Sequence, residues 1–252
     1  MEYINNERIT LFFSKKNSEL ADLMIKKLPM MEQLIQSKWN LEIPEKYRFY
    51  IMDSMYQSIL HPASFLRKII LILTFPIWYK RAKKAWKISA GWTMNNHGEK
   101  ILGIKSIFEM KKSIEANKNK IYNSIHNDIY IRAECTACHE MTHVFTSHLH
   151  LPFWLNEGIA QYTVDKYLGE PSISTDTIGY LFQDNKPNHP YLTEFLYGYW
   201  IVRYIEDIKE GNLENIIKDK NIDGKIAELF NVPEGNFREQ ARMIIKDYYY
   251  LN

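Results

Sequence analysis

Residues 133–162 limit what the rest of the chain can become. Here His139-Glu140-Met141-Thr142-His143 is followed, after a turn marked by Leu151-Pro152-Phe153, by Trp154-Leu155-Asn156-Glu157-Gly158-Ile159-Ala160. Two histidines four apart on a helix project from one face about one turn apart, so both rings can reach one metal ion. This is the H-E-x-x-H pattern of zinc sites. Glu140 lies between the histidines without being a ligand, where it can take a proton from a water held at the metal. Catalytic zinc takes three protein ligands and leaves the fourth position to water. Glu157, on the helix that follows the proline turn, is the leading candidate for the third. The competing reading is a helix with two surface histidines, and the carboxylate supplied directly after the turn weighs against it. Such a chain needs two consecutive helices joined by a short connection.

The same residues carry a resemblance. H-E-M-T-H followed by P-F-W-L-N-E-G-I-A-Q-Y resembles the gluzincin zinc metallopeptidases, and the W-L-N-E-G-x-A segment is similar to that of the membrane alanyl aminopeptidases. The interval between the two segments is shorter than in that family or in thermolysin, and better resembles the small single-domain bacterial peptidases of the superfamily. The resemblance implies His139, His143 and Glu157 as ligands of one Zn2+ per chain and Glu140 as general base. It further implies an α+β fold: a zincin-like N-terminal lobe with a small mixed sheet and the metal helix, then an all-helical C-terminal lobe. The expected division is 1–150, with a basic amphipathic insertion near 62–88, and 151–252 carrying the third ligand.

Composition supports a globular chain: 252 residues with 46% hydrophobic content can fill one large domain or two packed lobes. A net charge of +2 is too balanced to imply a nucleic-acid surface, so no nucleic-acid partner is expected. Cys135 and Cys138 are the only cysteines, too few for a disulfide framework, and read as buried core thiols. The first ten residues lack the basic-then-apolar layout of a secretory leader, which leads to an expectation of cytoplasmic placement.

Along the chain, strands are predicted over 8–14, 47–52, 88–94 and 101–108, the last two forming a hairpin around Asn95-Asn96-His97-Gly98. A helix over 19–39 is expected to kink or break near Pro29. The gluzincin resemblance makes the 101–108 strand the candidate edge beside the metal helix, where a peptide could pair by strand addition; an ordinary inner strand is the alternative. Further helices are predicted over 109–119, from 128 or 129 to 148, over 157–168 closed by Gly169, over 191–210 and over 237–250. His148 and His150 read as surface residues, and Gln161 and Asn156 as residues that could orient a ligand.

Residues 54–98 contain no Asp or Glu, while Arg67, Lys68, Lys80, Arg81, Lys83, Lys84 and Lys87 are all basic. The apolar run over 69–79 is too short for a bilayer span of about 20 residues, and Pro76 interrupts it. Beyond it, Lys80, Lys83, Lys84 and Lys87 share one helical face, with Trp78, Ala82, Ala85 and Trp86 opposite. Three readings compete: a helix packed on the core with solvated lysines, an element that docks on an anionic membrane or acidic partner, and a lid.

The expected reaction is zinc-dependent hydrolysis of a peptide bond in a peptide or protein substrate. The aminopeptidase relatives place an oxyanion-stabilising tyrosine three residues before a helical glycine. Here Phe195 stands three before Gly198, leaving Tyr191, Tyr197 and Tyr199 as nearby substitutes. The amine-binding G-x-M-E-N segment is missing, which favours an endopeptidase. The alternative is a zinc-containing binding or scaffold protein that docks through its basic helix.

Overall fold

The structure is a computed structural model and describes residues 1–96, 98–116, 121–122, 127–181, 190–209 and 213–251. Among the described residues the architecture is α+β, with one five-stranded mixed sheet and a predominantly helical remainder. It divides into two compact units. The first comprises Met1–Gln33, Ile43–Lys120 and Ser124–Val144, and the second Leu34–Glu42, Ile121–Asn123 and Phe145–Asn252.

The first unit holds the strands β1 (Glu2–Asn5), β2 (Ile9–Phe13), β3 (Tyr47–Met52), β4 (Gly91–Asn96) and β5 (Glu99–Lys105), in the spatial order β1-β2-β3-β5-β4. β2, β3 and β5 run parallel, and the two outer strands are antiparallel to their neighbours. Burial follows position in the sheet. β2 alternates, with Ile9, Leu11 and Phe13 inward, whereas β3 and β5 are buried along most of their length, as parallel strands covered on both faces must be. β1 is polar and largely exposed, and pairing with β2 makes a strand of it where local composition alone signals none.

Two open readings are decided here. The strand over 101–108 is β5 and lies between β3 and β4; the sheet edge on that side is β4. Edge and interior are set by long-range pairing, to which local composition is blind. β5 also stops at Lys105, because α5 (Ile107–Ala116) starts two residues later. The second is Pro29, which does not break the helix: α1 (Ser18–Trp39) runs through it as one element. The apolar side of that helix, including Met24, Leu28, Met31 and Ile35, is fully buried, and burial of this size outweighs the hydrogen bond the proline removes. β4 and β5 pair as the expected hairpin, and Gly98, at φ +86°, donates its N–H to Asn95 Oδ1 at 3.1 Å; His97 lies outside the described residues, as do His126 and His189.

Between β3 and β4 come α2 (Met55–Leu60), α3 (Phe65–Leu73) and α4 (Phe75–Ile88). Pro76 sits in the first turn of α4, where its missing N–H costs nothing, so the interruption becomes a helix boundary at Thr74. α6 (Ile129–Thr146) begins where Asp128 Oδ1 accepts from the N–H groups of Tyr130 and Ile131, leaving two fewer donors unsatisfied.

In the second unit, α7 (Phe153–Leu168) follows Pro152 and ends at Gly169, whose φ of +76° provides the left-handed cap. α8 (Pro190–Asp207), α9 (Leu213–Ile216), α10 (Ile222–Phe230) and α11 (Phe237–Leu251) complete the chain. α7 and α8 meet backbone to backbone. A Cβ on Gly198 would stand 1.8 Å from the Trp154 carbonyl oxygen, and one on Gly158 would stand 2.4 Å from the Gly198 carbonyl oxygen. Two glycines facing each other allow this approach. Around it lie the buried Trp154, Leu155, Ile159, Leu196, Tyr199 and Trp200.

Candidate metal centre

His139 and His143 stand one turn apart on α6, with their Nε2 atoms 3.1 Å apart and their rings nearly perpendicular at 87°. With Glu157 of α7 they form a group whose ligand atoms all lie within 4.8 Å of one another; the two imidazoles are half-buried and the carboxylate is buried. The donor set suits a metal. Zinc–nitrogen bonds of about 2.0–2.1 Å in a tetrahedron place ligand atoms roughly 3.3 Å apart, and the two Nε2 atoms are already near that spacing. This group could therefore hold a metal ion, and among the described residues it is the one group of its kind.

Glu140 is buried, and its carboxylate is engaged from the sheet. The Thr93 hydroxyl lies 2.7 Å from Glu140 Oε2 and 3.0 Å from the Glu140 carbonyl oxygen. Two residues earlier in β4, the backbone of Gly91 approaches the same side chain: a Cβ there would meet Glu140 Cγ at 2.6 Å and Thr136 Cγ2 at 2.8 Å. The edge strand thus fixes the glutamate with one hydroxyl and one missing side chain. Neither Gly91 nor Thr93 belongs to a motif; their roles follow from the two-residue period of a strand laid against α6.

Glu157 is held from its own unit. Tyr191 donates its hydroxyl to Glu157 Oε2 at 3.0 Å, and its ring packs near Phe153 at 5.3 Å and parallel to Phe195 at 6.5 Å. Of the three tyrosines singled out, Tyr191 is the one that touches the metal group. Tyr199 donates to Asp165 Oδ2 at 2.7 Å, and Tyr197 is buried beside Trp154 with the Arg242 guanidinium over its ring. Phe195 is a ring support for Tyr191.

The other ligand-orienting candidates divide. Asn156 Oδ1 accepts from Thr146 Oγ1 at 2.7 Å, tying the first turns of α7 to the end of α6 one turn beyond His143. Gln161 instead donates to Ser172 Oγ at 2.7 Å. It belongs to a buried network in which Asp165 accepts from the Ser172 backbone at 2.8 Å and from Tyr199, with Arg203 3.6 Å away. Burial raises the Asp165 carboxyl above its usual range despite those donors. Cys135 and Cys138 are buried free thiols, and burial pushes Cys138 well up, which keeps it protonated. His148 and His150 are exposed.

No protein-family model matches the chain, and no curated protein or solved structure is significantly similar to it.

Proposed function

We propose that the protein is a zinc-dependent peptidase of the gluzincin type, with a zincin-like lobe built on α6 and the sheet, cutting within extended peptide or protein substrates. The observation that carries this reading is the conjunction on α6 and α7. Two imidazoles and a carboxylate gather within 4.8 Å, and the glutamate between the histidines is buried against an edge strand. A bound zinc ion would supply Lewis acidity, polarising a substrate carbonyl and lowering the pKa of a water toward about 7. His139, His143 and Glu157 would hold it.

The chain's own residues do the rest. The Glu140 carboxylate takes the proton of the attacking water and returns it to the leaving amine nitrogen. Thr93 keeps that carboxylate in one orientation, which matters because a base that wanders loses the benefit of proximity. Tyr191, already pointing its hydroxyl at the ligand carboxylate, is the donor best situated for the oxyanion. β4 offers its outer edge for strand addition, a mode that reads backbone more than side chains and suits an endopeptidase.

The test is a peptide-library digest by the purified protein and by Glu140→Gln, with zinc content measured alongside. Wild type should carry about one zinc per chain and cut; Glu140→Gln should keep the metal and lose cleavage. Glu157→Ala with undiminished zinc would defeat the ligand assignment. Zinc without cleavage by wild type would instead favour the scaffold alternative.

A further inference from the structure

α3 is an amphipathic helix turned outward. None of its residues is buried, and Phe65, Leu66, Ile69, Ile70, Ile72 and Leu73 are all exposed, Phe65 and Leu73 at 76%. At 100° per residue these six fill one arc of about 160°, with Arg67 and Lys68 on the other side. A surface helix of a globular protein turns such an arc toward the core. Ile77, at the start of α4, extends the apolar surface at 79% exposure.

The arrangement is fixed from below. Phe75, Trp78 and Tyr79 of α4 cluster with Tyr56 of α2. Trp86 packs on Tyr50, Met52 and Ile101 and donates to Glu109 Oε2 at 3.1 Å, while buried Lys105 donates to the Trp86 carbonyl and to Ser113 Oγ. Trp78 Nε1 then donates to the Leu71 carbonyl at 2.8 Å, binding α3 to α4. The aromatic face of α4 is thus spent on its own unit. Outward it presents exposed Lys80, Arg81, Lys83 and Lys84, in a stretch over 54–98 with seven cations and no carboxylate side chain.

We propose that α3 and the outer face of α4 form an interfacial docking element whose occupant is the anionic leaflet of a lipid bilayer. The apolar arc enters the acyl boundary while the flanking cations meet lipid phosphates, the division of labour of a helix that lies in a membrane surface. At 1.5 Å per residue the nine residues of α3 cannot cross a core of about 30 Å, and no helix among the described residues is long and apolar enough to do so. Charge also chooses between occupants: a second copy of the chain would set the same seven cations against themselves. This inference is independent of the peptidase reading.

The experiment is co-sedimentation of the full chain with vesicles of equal phosphatidylglycerol and phosphatidylcholine, against vesicles of phosphatidylcholine alone, at about 0.1 M salt. Partition onto the anionic vesicles should exceed that onto neutral ones by roughly tenfold or more. It should fall at least about tenfold both in Leu66→Gln/Leu73→Gln and in Lys80→Glu/Lys83→Glu/Lys84→Glu. Those side chains are exposed, so thermal melts should match wild type. The emission added by a Phe65→Trp substitution should shift to the blue on anionic vesicles and be quenched by brominated acyl chains. Wild type left in the supernatant, binding indifferent to the Leu66/Leu73 change, or a Phe65→Trp emission that does not move would each overturn the proposal. So would self-association abolished by the Leu66/Leu73 change in a protein that ignores vesicles, which assigns the face to a second copy.

Discussion

Gly198→Ala adds one methyl group at the point where α7 and α8 touch. In an exposed helix the change would stabilise by about 1 kcal/mol, because alanine is the better helix former. Here the new Cβ would lie 1.8 Å from the Trp154 carbonyl oxygen, where real Cβ contacts essentially never fall below 3.0 Å. The obstacle is backbone already hydrogen-bonded within α7, so no side-chain rotation relieves it and the helices must part by about 1.2 Å. A gap of that size forfeits a quarter to a half of each dispersion contact along the interface. Overpacking costs about 3 kcal/mol at the upper end of its usual range, and with the propensity gain subtracted about 2 kcal/mol of net destabilisation is left. For a chain of this length that is a melting temperature lower by roughly 4–8 °C. Glu157 precedes Gly158 on one helix and Tyr191 lies two turns before Gly198 on the other, so their 3.0 Å hydrogen bond should lengthen and zinc affinity fall about tenfold or more. The assay is urea and thermal unfolding with and without zinc, with Gly235→Ala as control, since nothing lies within 4 Å of a Cβ there. A Gly198→Ala protein as stable as wild type, or more so, would refute the helix-contact reasoning.

Thr93→Val should lower kcat/KM by roughly ten- to a hundredfold, the worth of a hydrogen bond to a charged acceptor, while zinc content by metal analysis stays at wild-type level. Tyr191→Phe should cost about 10²–10³ in kcat if it is the oxyanion donor, with KM little changed in steady-state assays. Zinc at about a hundred times its dissociation constant should raise the unfolding free energy of the stripped protein by about 2.7 kcal/mol, and His143→Ala should erase that gain. Lys105 gives a pH signature. Burial lowers its ammonium from 10.5 to about 8, against a smaller opposing pull from Glu109. Between those values the unfolded chain holds a proton that the native state has released, so stability contributed by this site rises with pH. Denaturant melts from pH 8 to 10.5 should show a positive slope that shrinks in Lys105→Met; an unchanged slope would count against the assignment.

The gathering of His139, His143 and Glu157 was legible because everything it needs is short-range: histidines at helical spacing, a proline turn and a carboxylate on the next helix. Gly169 as a left-handed cap and the β4–β5 hairpin were readable for the same reason. What escaped depends on partners distant in sequence. β4 rather than β5 forms the edge because strand order is decided by pairing across the sheet. Gln161 turns to Ser172 because a buried network claims it. Tyr191 could not be separated from Tyr197 and Tyr199 until its hydroxyl was seen to reach Glu157 and that of Tyr199 to reach Asp165. In α4 the period discloses an amphipathic helix, but a period says nothing about which side meets the protein. The packed reading holds for Trp86 of α4, while the outward apolar arc of α3 is seen only once that helix and its exposure are known.

Lys105 and Glu109 grip the last turn of α4, and only Ser89 and Ala90 separate that helix from β4, the strand whose Gly91 and Thr93 seat Glu140. The α3–α4 element is therefore a bracket and not a tether. A flexible tether would let Glu140 sweep a volume, whereas on the docking proposal a bracket would hold Glu140 at one standoff from the bilayer. If the peptidase and docking proposals hold together, a scissile bond would be chosen by its height above the bilayer as much as by its flanking residues, and lengthening a substrate's stalk by a few residues would move the cut by the same number.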